Sequence, residues 1–334
     1  TTEQAFEAAI STLGGTVNGK GTIFVQGAGT VYTVQGVTVP KNVEIIFEAS
    51  ATVKNRLGVP CFNLSGKLVN PTFDFQGRST VGWITLSSGS AIYGGKAKVI
   101  MDGTDGVAVG FQVLNASNVI IDGHEVTSID NIGGGNAVIF FDIQNSTKVF
   151  VLRCKFPTKQ LVGNSGDLLF RIRGAHDTTI SDNDLEWRAV MFGFTNAFHS
   201  HNVRVINNRI SASANSIGAN GLIEFSMPTA NVTYTSSTII SNNYFHFYGS
   251  QASANPVIRL GADAAATGYT YSPIIANNVV TSETNSLGMV FISATAQVIK
   301  LHALNNVVNN LATFLSDSGI GTVSAGNYLN GIAQ

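Results

Sequence analysis

Apolar residues recur down the second half of the chain in one short phrase: apolar, x, x, Asn, x, apolar. The copies are Ile180 to Leu185, Val205 to Ile210, Ile240 to Phe245, Ile275 to Val280 and Ala303 to Val308, with a degenerate last copy from Ser324 to Leu329. Two earlier segments fit the frame with another residue in the Asn slot: Ile121 to Val126 carries His124, and Val151 to Phe156 carries Cys154. The slot therefore runs His124, Cys154, Asn183, Asn208, Asn243, Asn278, Asn306, Asn327, at spacings of 21 to 35 residues. A period of that size is the signature of a solenoid.

Alternating apolar residues precede each copy, which is strand patterning. Asn is depleted in strands. An Asn at every strand end predicts a bend, with that Asn itself taking left-handed backbone angles. Stacked coils then let the Asn side chains hydrogen-bond in a ladder, satisfying groups that would otherwise be buried unpaired. The start of the chain has a different period. Phe6, Ala9, Ile10 and Leu13 are spaced for one helical face, Gly14-Gly15 closes the segment, and Thr1 with Gln4 fits a capping box. Such a helix covers the first open edge of a solenoid. Short strands are expected at Thr22 to Gln26, Val31 to Val39 and Val43 to Glu48, with less regular ones around Leu68 to Phe75 and Ile84 to Met101. The expected organisation is one domain over 1–334: a capping helix at 1–15, irregular coils at 16–117 and regular Asn-ladder coils at 118–334.

Composition agrees. At 334 residues the chain exceeds the usual size of a single core, which a solenoid escapes because each coil touches only its neighbours. Charged residues are 12%, about half the usual share. The net charge of −1 gives no basic footprint, so no nucleic-acid partner is expected. No apolar run reaches the length of a spanning helix, so no membrane insertion is expected. The mean hydropathy of +0.20 is high for so few charges and points to burial between subunits. Of the two cysteines, Cys154 falls in the inward slot and is expected as a buried free thiol. A bridge to Cys61 has no support in the spacing.

A helix ending in Gly-Gly, the run from Gly21 to Val53 and the recurring "I-x-x-N-x-apolar" coils together resemble the right-handed parallel β-helix proteins of the pectate-lyase-like group. That group includes polysaccharide lyases, polygalacturonases and bacteriophage tailspikes. The resemblance covers nearly the whole chain and implies an all-β fold: a right-handed, single-stranded parallel β-helix with an N-terminal capping helix. It also implies a polysaccharide partner, extracellular or on a virion surface, and for tailspikes a homotrimer. It is specific for fold and weak for chemistry. Gly123-His124-Glu125 and Arg171-Ile172-Arg173 echo two polygalacturonase motifs, but the Asn-Thr-Asp and Asp-Asp motifs that should precede them are missing. His124 moreover occupies the inward slot. No motif matches a calcium-dependent pectate lyase. No cofactor or metal is implied, and the His199-Ser200-His201 pair is a weak metal signal.

A second strand family lies between the Asn copies: Ala137 to Gln144, Asp167 to Arg173, Ala189 to Thr195, Gly221 to Met227, Pro256 to Gly261 and Met289 to Ser293. If Ile139, Phe141 and Ile143 point inward, alternation sends Phe140, Asp142 and Gln144 outward. If Leu168, Phe170 and Ile172 point inward, Leu169, Arg171 and Arg173 point outward. Asp142, Arg171, Gly193, Glu224 and Arg259 should then form one outward column, with successive coils about 4.8 Å apart. Gly193 would leave a notch in it. Asp142 and Glu224 would stand about 14 Å apart, beyond the spacing of a hydrolytic pair. A partner for Glu224 is therefore sought in Asp167, Asp184, Glu186 or another subunit.

The candidate catalytic residues are Glu224, Asp142, Asp167 and Glu186, with Glu224 the best acid. Candidate substrate-binding residues are Arg171, Arg173 and Arg259, which suit an anionic glycan, together with Trp187, Arg188 and Tyr244. Tyr244, His246 and Tyr248 project from one strand as a stacking platform or an inter-subunit contact. Two functions fit: a tailspike-like glycan depolymerase, hydrolase ahead of lyase, or a non-catalytic adhesin, receptor-binding or structural spike. On the second, the charged column is a self-neutralising surface ladder.

Overall fold

The computed structural model describes residues 2–14, 20–55, 59–76, 81–102, 107–132, 137–157, 168–186, 190–194, 199–213, 221–225, 234–249, 255–261 and 269–334. The chain forms two compact units, Thr1–Asn164 and Ser165–Gln334.

In the first unit the helix Thr2–Gly14 is followed by short strands. Phe6 is its buried anchor. The ring meets Tyr32 and Phe62 edge-on at centroid separations of 6.2 and 6.0 Å, so the helix does cap the first coils. The proposed capping box includes Thr1, which lies outside the described residues. The strands pair in three parallel ladders. The first stacks Gly21–Val25, Val43–Phe47, Lys67–Val69, Ala91–Tyr93, Ser117–Asp122 and Thr147–Leu152. The second stacks Val31–Val34, Thr52–Asn55, Thr72–Gln76, Lys96–Asp102, Glu125–Ile132 and Lys155–Pro157. The third stacks Val37–Val39, Phe62–Leu64, Ile84–Leu86, Val107–Leu114 and Ala137–Gln144. Val31 to Val39 is thus two strands, broken where Gly36 turns at φ +64°. Ile84 to Met101 is three, because the chain turns a corner wherever Gly permits a positive φ.

The second unit repeats the three ladders and adds a short fourth one, Ser200–His201, Tyr234–Ser236, Tyr269–Tyr271 and Val298–Ile299, between the third and the first. The first stacks Thr179–Ser181, Arg204–Ile206, Ile239–Ser241, Ile274–Ala276, His302–Leu304 and Val323–Ala325. The second runs Asp184–Glu186, Arg209–Ser213, Tyr244–Tyr248 and then the starts of Val279–Ala294 and Val307–Asp317. The third runs Leu168–Arg173, Val190–Phe194, Ile223–Phe225, Pro256–Leu260 and then the ends of the same two long strands. Among the described residues the one antiparallel pair is Tyr328–Leu329 with Ile332–Ala333. The architecture is a right-handed parallel β-helix, the hand that parallel crossovers adopt.

The Asn phrase marks the corner between the first and second ladders. Asn183, Asn208, Asn243, Asn278, Asn306 and Asn327 are all buried. Each Nδ2 donates to the Oδ1 of the next at 2.9–3.0 Å, from Asn183 through to Asn327. From Asn208 onward each Nδ2 also reaches a main-chain carbonyl, as Asn278 does to Ile240 at 2.9 Å. The left-handed residue of the corner is a different one. Asp182, Asn207, Asn242, Asn277, Asn305 and Gly326, each just before a ladder Asn, take φ of 53–66°. The Asn-Asn pairs therefore divide two tasks: the first bends the chain and the second binds its neighbours. His124 and Cys154 sit buried in the same slot of the first unit.

Alternation fails at one place in the third ladder. Phe140–Phe141, Leu169–Phe170, Met191–Phe192, Leu222–Ile223, Val257–Ile258 and Phe291–Ile292 are consecutive residues that are both buried. The paired registers skip Gly110 and Phe140, Leu169 and Met191, and Val257 and Phe291. Two adjacent inward residues break the strand period of two and bend the strand around the core. Phe140 and Leu169, expected outward, are therefore core residues. Phe140 packs on Phe111, Phe141 and Phe156 at 5.2–5.4 Å. In the second unit Phe170 stacks on Phe192 at 4.9 Å. Burying each such ring contributes about 1.5–3 kcal/mol.

Candidate functional site

Beyond the bend the outward register is as the alternation predicted. In the second unit Arg171 pairs with Gly193, Gly193 with Glu224, Glu224 with Arg259 and Arg259 with Ser293. Arg171, Glu224 and Arg259 are half-buried. Each neighbour is one coil away, about 4.8 Å, so Glu224 stands between a glycine and a guanidinium. Gly193 is not an open notch. A Cβ there would meet Leu168 Cδ2 at 2.9 Å, so Leu168 already leans over it. Arg173, further along the same strand, is also half-buried.

Asp142 belongs to the first unit, in the column Asn63, Thr85, Gln112, Asp142. It is 0% exposed and accepts a hydrogen bond from Gln144 Nε2. That corrects its expected place on an open face: it is a buried, hydrogen-bonded carboxylate. Asp167, Trp187 and Arg188 lie outside the described residues.

Glu186 and Tyr244 are on the second ladder of the second unit, not in the Glu224 column. Glu186 is in line with Ser211, His246 and Thr281. It is half-buried and accepts a hydrogen bond from the Tyr248 phenol at 3.0 Å. Tyr244 is in line with Asp184, Arg209 and Val279 and is 40% exposed. Its hydroxyl lies 3.1 Å from Thr281 Oγ1. His246 sits beside it, with Nδ1 3.4 Å from the same Thr281 oxygen and Nε2 3.2 Å from Glu283 Oε1. Sequence reasoning missed the roles of Thr281 and Glu283, since nothing in their own pattern distinguishes them from other outward polar residues.

The histidine groups fall into two kinds. His124 is fully buried. Its Nδ1–H donates to the Gly94 carbonyl at 2.9 Å, and Nε2 has no partner among the described residues. Burial pulls its pKa down to about 4. That is the signature of a neutral core imidazole, not a catalyst. His176, His199 and His201 cluster at the surface, with ring centroids 5.9 and 6.1 Å apart. Desolvation, then the two neighbouring imidazoles, lower the His199 pKa. Among the described residues no three His, Cys, Asp or Glu side chains are grouped to hold a metal ion. Cys61 and Cys154 are free and buried, and no disulfide joins them. Desolvation raises both thiols, Cys154 to about 12. No helix among the described residues is long and apolar enough to cross a membrane.

Stacked parallel ladders, an internal Asn column and polar chemistry carried on strand faces define a parallel β-helix protein. No protein-family model matches the chain, and no curated protein matches it in sequence. Among solved structures, the Streptococcus pneumoniae surface protein and adhesin PfbA aligns with a TM-score of 0.55 at 13% identity, covering 98% of this chain and 95% of that one. The tailspike protein of E. coli bacteriophage HK620 in complex with pentasaccharide aligns with a TM-score of 0.59 at 13% identity, covering 98% of this chain and 62% of the tailspike. A mutant of that tailspike, also with pentasaccharide, gives 0.64 at 14% over the same shares. This chain therefore spans less than two thirds of the tailspike's length. The expected likeness to parallel β-helix proteins holds for the fold.

Proposed function

We propose that this protein binds and cleaves a cell-surface or capsular polysaccharide from outside the cell or on a virion. The outward column Arg171–Gly193–Glu224–Arg259 is its working face, and the whole chain acts as one β-helix domain. The observation that carries this reading is the in-register placement of Glu224 beside Arg259, half-buried, on a chain with 12% charged residues. A half-buried carboxyl on a strand is a suitable general acid for a glycosidic oxygen. The guanidiniums suit a carboxylate- or sulfate-bearing sugar. The tailspike in complex with a pentasaccharide supports a sugar on this kind of scaffold.

Hydrolysis needs a second carboxylate within about 5–9.5 Å of the first. Buried Asp142 does not suit that role. Glu186, Asp167 or a carboxylate of a neighbouring subunit in a homotrimer supplies it. Glu224→Gln should lower cleavage about 10²–10⁴-fold while leaving binding in place. The assay is release of reducing ends from a panel of capsular and plant polysaccharides. New ends without an unsaturated-sugar absorbance mean hydrolysis, and ends with it mean a lyase. Full activity in Glu224→Gln would remove the assignment. Light scattering of the intact protein tests the trimer.

A second reading is a non-catalytic adhesin. It is favoured by the column itself, in which Glu224 is in line with Arg259 on the next coil as in a self-neutralising ladder. It is also favoured by the likeness to a surface adhesin over 95% of that adhesin's chain. Binding without new ends across the panel would select it.

A further inference from the structure

On the second ladder of the second unit, Tyr244 and His246 are two residues apart on one strand and so share its outer face. Their ring planes are 8° apart, with centroids 6.3 Å from each other. Thr281 is on the next coil, in line with His246. To bring its hydroxyl within 3.1 Å of Thr281 Oγ1, the Tyr244 ring leans over that next coil instead of standing free. His246 Nδ1 approaches the same oxygen, at 3.4 Å, and leans the same way. Glu283 fixes the far side of the imidazole at 3.2 Å. One threonine and one glutamate thus hold two parallel rings in place before any ligand arrives.

Tyr244 is nevertheless 40% exposed, and the His246 side chain 28%. A pinned, exposed aromatic face loses little conformational freedom on binding, which is what a weak ligand with few contacts requires. Aromatic faces held this way stack on the C–H faces of sugar rings. The charges nearby select among sugars. Among the described residues, Glu283 is on the adjacent strand and Asp184 and Glu186 are on the strand two coils away, while Arg209 is the cation between Asp184 and Tyr244; the balance of the face is negative. An acidic sugar is repelled there. A neutral pyranose, whose hydroxyls donate to those carboxylates, is not.

We infer that Tyr244 and His246 form a second, non-catalytic carbohydrate subsite that takes a neutral pyranose, distinct in charge from the arginine-flanked Glu224 column. This rests on the glycan-binding half of the proposed function and not on Glu224 being an acid. The test titrates cellotetraose and chitotetraose as neutral probes, and tetragalacturonate as the acidic one, into wild type, Tyr244→Ala, Thr281→Val and Glu224→Gln. Saturation-transfer NMR and calorimetry read binding, with circular dichroism confirming that each variant is folded.

A neutral probe should bind wild type and Glu224→Gln alike. Tyr244→Ala should weaken it about tenfold, the scale of one aromatic contact. Thr281→Val, which keeps the ring and removes the pin, should weaken it by a smaller factor of about three. The inference is overturned if neither neutral probe binds wild type, or if Tyr244→Ala leaves the affinity unchanged. It is also overturned if Tyr244→Ala abolishes tetragalacturonate binding instead, or if it lowers the particle mass, which would make the rings a contact between copies of the chain. Loss of cleavage in Glu224→Gln alongside unchanged binding in Tyr244→Ala would sink the subsite and leave the cleavage reading standing.

Discussion

Replacing Asn278 by Ala tests how much the corner column contributes. Asn278 Oδ1 accepts from the Asn243 main-chain N–H and from Asn243 Nδ2, both at 3.0 Å. Its Nδ2 donates to the Ile240 carbonyl and to Asn306 Oδ1, both at 2.9 Å. Asn278 is 0% exposed and Asn243 1%. Alanine therefore removes four hydrogen bonds and orphans the buried Asn243 main-chain N–H, while Asn243 Nδ2 keeps the Val205 carbonyl. A net value of about 1 kcal/mol per bond, raised where a buried partner is left unsatisfied, gives a loss of about 3–5 kcal/mol. The control is the residue beside it. Asn277 is exposed and takes φ +55°, so Asn277→Ala should cost only the left-handed penalty of about 1–2 kcal/mol, and Asn277→Gly close to nothing. The assay is urea unfolding followed by far-UV circular dichroism, comparing midpoints because repeat arrays lose two-state behaviour. A loss below about 1 kcal/mol for Asn278→Ala, or one no larger than that of Asn277→Ala, would refute the reasoning. The apolar core alone would then hold the coils.

Three further outcomes are expected. His124 has a folded pKa of about 4 against 6.5 for the free side chain, so between those values the unfolded chain binds more protons. Stability should fall as pH drops through that window, by up to about 3 kcal/mol, and His124→Asn should flatten that part of the pH–midpoint curve. Cys61 and Cys154, buried with raised pKa values, should resist a thiol reagent in the native protein and react fully in denaturant; native labelling at the denatured rate would contradict their burial. Gly193→Val should displace the flexible end of Leu168, whose Cδ2 methyl stands only 2.9 Å from where the new Cβ would sit, at a cost below about 1 kcal/mol because that side chain is only half-buried; a larger drop in the midpoint would show that Leu168 is held in place.

The fold was legible because its determinants are local and repeated. An Asn in a fixed frame announces a corner, and alternation announces the strands. What the pattern could not resolve was the division of labour inside each Asn-Asn pair, since both residues tolerate a bend. Nor could it resolve the two-residue bend in the third ladder. Phe140 and Leu169 look like outward positions until strand curvature turns them inward, because consecutive apolar residues fit a buried bend and an apolar surface equally well. Beyond that bend Arg171, Glu224 and Arg259 kept the expected register, because the period of two resumes. Asp142, in line with Gln112 in its own unit, is buried where an open face was expected, because exposure depends on what covers a strand and has no trace in the strand's own pattern. The Thr281–Tyr244–His246 contacts depend on side chains 35 and 37 residues apart, a separation that only the coil length reveals.

Successive rungs of the Asn column lie 25, 35, 35, 28 and 21 residues apart, yet the hydrogen bonds between them hold at 2.9–3.0 Å throughout. Ten residues separate a 25-residue coil from a 35-residue one, and none of them enters the Asn phrase. Length is therefore added away from the column, and lengthening a loop carries only a slowly growing entropic cost. The scaffold separates what must stay constant from what can change. Segments between the second and third ladders, and between the third ladder and the strand that starts at Tyr234, can be exchanged or extended to meet a new ligand while the corner keeps the coils in step. Grafting a longer segment between Phe225 and Tyr234 should leave the stacking of Asn208 on Asn243 undisturbed.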